Sequence, residues 1–339
     1  MMNRILKSTL LFFVFVGLFS CKDDDTVTIY VVPYAEQEPI DNAAIVEFLT
    51  NNYFNEEEFI APVVNFSYDI EFSTDQMAGS YTRTPLIDYV NTVINNFTIE
   101  TKTITVSDVD HTLYILKIVQ GLGTSKPRFC DEAFLSYEGM TLEKDVFDNA
   151  LNPVKLDLSA TVKGFSESVS EFNIADNVDA VGDGTFDYEN YGVGAVFMPS
   201  GLGYYASPAG GISAYAPLIF KLKVYGTTVL DHDSDGVPTY VEDLNGNHDL
   251  SDDNTDLDIF PNFLDPNDDN DPILSKNEAN IVVYPMFLDG STEPMLGVNE
   301  YEIERVVNDN VVPNEITITT ATYIDTDGDG VLDYLDSDS

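Results

Sequence analysis

Basic residues, cysteine and histidine are scarce in this chain, and tryptophan is absent. Fifteen Lys and Arg stand against 59 Asp and Glu, a formal net charge of −44. That balance excludes nucleic acid as a partner, because phosphate contacts need cationic side chains. It also excludes adsorption to anionic lipid, and it favours cations, calcium above all. His111, His232 and His248 are the only histidines, and Cys21 and Cys130 the only cysteines. A zinc site or a histidine-dependent triad therefore has little to draw on. Beyond the N-terminus no apolar run is long enough to span a bilayer. What is present is a core-forming composition: 44% apolar and 12% aromatic residues over 339 positions, enough for two domains or one with appendages.

The N-terminus reads as an export signal. Arg4 and Lys7 precede a short apolar segment, Leu10 to Phe19, which ends in Leu18-Phe19-Ser20-Cys21. This resembles a bacterial lipobox, in which the cysteine becomes the first mature residue and carries lipid. The following Lys22-Asp23-Asp24-Asp25 is similar to the export signal of surface lipoproteins in Bacteroidetes. The expected location is the outer membrane or cell surface, with membrane contact through the lipid alone. With Cys21 acylated, Cys130 has no partner for a disulfide, and its strand-like surroundings suit a core thiol.

Residues 1–20 are thus the signal peptide and 21–34 a tether. Residues 35–107 form a small N-terminal module with two expected helices. One is N-capped by Asp41 and runs through Asn55; the other starts at Thr84-Pro85 and carries Leu86, Ile87, Val90, Val93, Ile94 and Phe97 at helical spacing. The module ends in an expected strand at 101–106. From 108 to 226 the pattern is mostly β, with strands expected at 112–119, 129–137 and 154–158, a short helix at 161–172, and a loop at 173–191. Two more apolar strands, Val193–Met198 and Leu218–Tyr225, flank a long loop rich in Gly, Tyr and Pro, which suits a pocket rim. Gly201-x-Gly203-x-x-Ala206 matches a dinucleotide fingerprint by letters only, since it opens no helix. The spacing of a phosphate loop is also missing around Gly121–Pro127.

Residues 227–280 are an acidic tract. Asp231-x-Asp233-x-Asp235-Gly236, with Glu242 at position twelve, has the register of a calcium loop. Degenerate copies follow: Asp243, Asn245 and Asn247, ending at Asn254; Asn254, Asp256 and Asp258, ending at Asp265; and Asn267, Asp269 and Asp271, ending at Glu278. The last segment, 281–339, closes with Asp325, Asp327, Asp329, Gly330, Asp333 and Asp336. Carboxylates two residues apart repel unless a cation lies among them. The spacing resembles thrombospondin type 3 repeats, which implies several structural calcium ions. Extracellular loops of this kind hold them with dissociation constants of roughly 0.1 to 1 mM.

The region 108–226 resembles the FKBP-type peptidyl-prolyl isomerases. Five pieces carry the resemblance in order: Tyr137-Glu138-Gly139-Met140, Val146-Phe147-Asp148-Asn149, Thr161 to Phe165, Met198 to Tyr204, and Ile212 to Phe220. It implies an α+β fold, an antiparallel sheet wrapped on a short helix, and isomerisation of proline bonds in exported polypeptides with no catalytic cofactor. It further implies that Tyr137, Phe147, Val154, Val162, Phe165 and Phe220 line the pocket and that Tyr204 donates to a substrate carbonyl. Ile212 would pack at the rim, and Asp148 would make polar contacts beside it. Phe165 stands where the family commonly has tryptophan, and Val154 replaces a common Phe. Two other readings stay open: a non-catalytic module of the same fold that binds a peptide or partner, and a calcium-stiffened structural lipoprotein.

Overall fold

The apolar runs of the central region pair as neighbours in one antiparallel sheet. The computed structural model describes residues 30–63, 66–180, 186–288, 290–308, 311 and 313–338. The described residues from Pro33 onward form one compact unit. Cys21, the signal segment and the Lys22–Asp25 cluster lie outside the described residues. No described helix is long and apolar enough to cross a membrane.

The helices are α1 (Tyr34–Asn51), α2 (Glu56–Ile60) and α3 (Lys163–Val169). The sheet comprises β1 (Thr98–Val106), β2 (Val109–Val119), β3 (Glu132–Thr141), β4 (Val146–Asp157), β7 (Gly192–Met198) and β8 (Leu218–Thr228). A small hairpin, β5 (Asn177–Ala180) with β6 (Phe186–Glu189), stands apart. The strand order is β1-β2-β7-β8-β3-β4, so three hairpins lie side by side with the last-formed one in the middle.

Strand β7 is buried at every position, which is why its sequence shows no alternation. Its Ala195 and Phe197 face a core with Ile45, Leu49 and Phe48 of α1, while Val196 and Met198 face a second core with Phe165 and Val169 of α3. The sheet is therefore the middle of three layers. At Gly194 an added Cβ would lie 2.2 Å from the Leu116 carbonyl oxygen and 2.4 Å from the Phe172 ring. Gly194→Ala is expected to cost about 2 kcal/mol through overpacking. A lowered urea midpoint checks it, and an unchanged midpoint would mean the layers shift freely.

Several expectations need correction. The boundary expected at 107/108 falls inside the two-residue turn of the β1–β2 hairpin, where Ser107 and Asp108 have φ of 51° and 60°. Strand β1 and α1 share a core with the sheet, so the N-terminal module and the β-rich region are built together. Helix α1 starts at Tyr34, and Asp41 lies buried inside it rather than capping it. The second expected helix is only a four-residue 3-10 turn, Leu86–Tyr89. It cannot continue, because Asn91, Asn95 and Asn96 take left-handed φ of 52°, 54° and 69°. The segment expected as a loop at 173–191 contains the β5–β6 hairpin, with residues 181–185 outside the described set. Cys130 is buried in the turn before β3 rather than in a strand, and burial pushes its thiol well above the usual range, so it stays unreactive.

The chain ends in a second sheet of β9 (Ala279–Val283), β10 (Phe287–Leu288), β11 (Glu300–Asn308) and β12 (Glu315–Tyr323). β12 pairs with β11 along one edge and with β9 and β10 along the other. Val237 of the acidic tract packs with Ala321, Tyr323 and Tyr334 in a small core.

Candidate functional site

Four aromatic rings converge in the second core, on the α3 side of the sheet. Phe165 comes from the first turn of α3, Phe220 from β8, Tyr137 from β3 and Phe147 from β4. Phe165 and Phe220 meet edge to face at 5.1 Å, Phe147 and Phe220 at 5.5 Å, and Tyr137 and Phe165 at 5.6 Å. Phe165 and Phe220 are buried, whereas Tyr137, Phe147, Val162 and Tyr204 are half-buried around them. The result is an aromatic cluster, two buried phenylalanines ringed by half-buried side chains, called the cup below. Gly139 makes it possible, since an added Cβ there would lie 2.7 Å from both the Phe147 and the Phe220 rings.

The polar groups sit at the rim. Tyr137 donates its hydroxyl to Asp148 Oδ2 at 2.7 Å, and Asp148 itself is exposed. Burial, then this carboxylate, pushes the Tyr137 phenol up to about 12, so it keeps its proton at any physiological pH. Tyr204 stands in the loop after the turn Ser200–Leu202, within electrostatic range of Tyr137. Asp41 of α1 holds that turn, accepting from Ser200 N at 2.8 Å, Ser200 Oγ at 2.5 Å and Gln37 Nε2 at 2.6 Å. Gly201 lies against the buried His111 ring, 2.3 Å from where its Cβ would be, which leaves no room for a phosphate. Ile212 is buried in the same core as Phe220. Val154 pairs with Leu135 and is half-buried, but Leu156, two residues on, is the side chain that packs into the cluster. Asp41 was missed as a site-supporting residue because the sequence pattern suits a helix cap equally well.

The acidic tract forms tight loops. Asp231 accepts from Ser234 N and Gly236 N at 2.7 and 2.9 Å, and Gly236 takes the turn with φ of 92°. Ligand-capable oxygens of Asp231, Asp233 and Asp235 lie within 4.8 Å of one another, as do those of Asp256, Asp258 and Asp265, of Asp269, Asp271 and Glu278, and of Asp325, Asp327 and Asp329. Glu242 is turned toward Asp235 and Asp268. The copy at Asp243 differs. Its Asn245 and Asn247 side chains donate to Asp252 and Asp253, and no carboxylate trio forms there among the described residues. In the last loop Asp336 stays apart from the Asp325 trio, while Asp333 accepts from Thr326. Asn267 Oδ1 and Asn254 Oδ1 are buried without a partner.

The electrostatics of these loops are those of crowded, partly buried negative charge. Burial, then neighbouring carboxylates, raises Glu242 to about 11, Asp268 to about 9, Asp233 to about 8 and Glu278 to about 7. Asp268 was missed from sequence because it occupies position two of the Asn267 copy, where a calcium loop has no ligand.

Comparison with known proteins adds three facts. The model of a family described as BamM C-terminal matches residues 232–292. No curated protein matches. Among solved structures, a peptidyl-prolyl cis-trans isomerase from Pseudomonas syringae is 17% identical, over 38% of this chain and 80% of that one, with a TM-score of 0.29. FkpA from Escherichia coli is 19% identical over 38% and 53%, with a TM-score of 0.29. A multi-domain immunophilin from Arabidopsis thaliana is 16% identical over 41% and 50%, with a TM-score of 0.30. The chain spans about half the length of the last two.

Proposed function

We propose that this chain is an FKBP-type peptidyl-prolyl cis-trans isomerase of exported polypeptides, lipid-anchored at Cys21 outside the cytoplasm and stiffened by calcium in its acidic loops. The observation that carries the reading is the aromatic cup, with buried Phe165 and Phe220 as floor and the phenols of Tyr137 and Tyr204 near its rim. Rotation about an X-Pro bond faces a barrier of roughly 18 to 20 kcal/mol and proceeds unaided in tens of seconds or longer. Midway the amide loses its resonance and much of its charge separation. An apolar cup therefore favours the twisted amide over the planar one, and a phenol donor can hold the neighbouring carbonyl while the ring turns. No nucleophile, proton relay or metal is called for at the cup.

For calcium, the supporting observations are the all-oxygen trios and their buried, unpartnered carboxylate atoms. For the anchor, support rests on the sequence alone.

The test is isomerisation of a short X-Pro peptide by the chain from residue 30 onward. Catalysis above the buffer rate is expected. Tyr204→Phe should reduce kcat/KM about tenfold, the effect of one hydrogen bond of about 1.4 kcal/mol. A folded chain that leaves the buffer rate unchanged would overturn the enzyme reading and favour a binding module.

A further inference from the structure

Two carboxylate trios share one residue, and one of them draws a member from a different loop. The trio Asp231, Asp233 and Asp235 shares Asp235 with a second trio, Asp235, Glu242 and Asp268. Asp268 lies in the Asn267 loop, well along the chain from the loop that supplies the other four. The second trio is sealed from solvent, with Asp235 and Glu242 0% exposed and Asp268 1% exposed. Asp233 Oδ2, Asp235 Oδ2, both oxygens of Glu242 and Asp268 Oδ1 have no hydrogen-bond partner. Among the described residues no Lys or Arg pairs with any of the five.

We propose that Asp231, Asp233, Asp235, Glu242 and Asp268 hold two calcium ions as one centre, bridged by Asp235, with Asp268 as a ligand supplied across from another loop. The proposal rests on the calcium reading above and changes its unit, from separate loops to a shared centre. Charge decides the number of ions. Five carboxylates around one divalent ion would leave three negative charges largely buried, each at a cost of several kcal/mol. Two ions reduce the remainder to a single charge. Ligand type decides the identity, since an all-oxygen set rich in carboxylates suits calcium and gives zinc or copper none of the nitrogen or sulfur they favour. The outer wall is also in place. Asp235 Oδ1 accepts from Val237 N at 2.7 Å, and Tyr323 of β12 donates to the Gly236 carbonyl. Ion binding thereby ties the first loop, the Asn267 loop and the C-terminal sheet together.

The test uses the chain from residue 30 onward, stripped of metal and titrated calorimetrically with calcium chloride. Asp268→Asn is compared with Asp258→Asn, a control in another trio. Asp268→Asn should remove at least one ion from the stoichiometry and weaken the remaining ion of this centre at least tenfold, whereas Asp258→Asn should leave the centre intact. Unaltered stoichiometry and affinity in Asp268→Asn would overturn the shared centre while leaving the separate-loop reading standing. No saturable binding by the parent chain at millimolar calcium would instead remove the calcium reading itself. Should Asp268→Asn fail to fold, crystals of the parent chain soaked in terbium chloride decide. Two anomalous peaks about 4 Å apart astride Asp235 are expected, and a single peak would overturn the proposal.

Discussion

Adding calcium to the metal-free chain should raise the unfolding midpoint by about 10 °C and reverse its dependence on pH. Each ion held roughly twentyfold above its dissociation constant contributes about 1.8 kcal/mol, and several act together on one compact unit. The reversal follows from the carboxylates. Without metal, burial and then neighbouring carboxylates raise Glu242 to about 11 and Asp268 to about 9, and raise Asp233 as well. Above about pH 4.5 the unfolded chain releases these protons while the folded chain keeps them. Stability is then greatest in mild acid and falls as pH rises toward the folded values. Calcium requires the ionised form, so in its presence stability rises over the same range. Thermal melts at pH 5 and pH 8, with calcium and after its removal, measure both slopes. Parallel slopes in the two series would contradict the role given to these carboxylates.

Asp41→Ala should cost about 3 kcal/mol of stability and also reduce activity at the cup. Asp41 is 1% exposed and takes three hydrogen bonds, two of them from Ser200. Removing it strands the Ser200 amide and hydroxyl in a buried site, and each buried donor left unpaired costs about 1 to 3 kcal/mol. The same turn carries Tyr204 toward the rim, so the loop bearing a rim phenol loses its hydrogen-bonded tie to α1 and keeps the stacking of Tyr205 on Tyr34. Urea unfolding reads the first effect and the X-Pro peptide assay the second. A variant that loses stability but keeps full kcat/KM would show that the loop holds its place without Asp41.

The strands were legible because burial writes plainly. A strand buried on both faces, such as Gly192–Met198, is an unbroken apolar run. The helix expected from Thr84 was not legible, because apolar residues at helical spacing also arise where a turn feeds a core. The informative letters were the asparagines at 91, 95 and 96, which accept left-handed φ. The candidate cup was readable only through its ordered pieces, since Phe165 and Phe220 taken singly are indistinguishable from core. In the acidic tract the spacing of each loop was clear from sequence. Which loops share a residue was not, because Asp268 reaches the first loop through the folded path of the chain and not through any local period.

The order of the central hairpins bears on how the chain acquires its fold. β1–β2 and β3–β4 each form from neighbouring sequence, yet neither touches the other in the finished sheet. The β7–β8 hairpin, made later, must slot between them and bond to both. Until residue 228 has been synthesised, β2 and β3 each expose an unpaired, apolar inner edge. Such a nascent chain has high contact order and a long interval of vulnerability to strand-to-strand aggregation. Folding is thus gated by arrival of the last hairpin. In refolding from denaturant, a fragment ending before Gly192 should self-associate through the open edges of β2 and β3, whereas the chain from residue 30 onward, which carries β7 and β8, should stay monomeric.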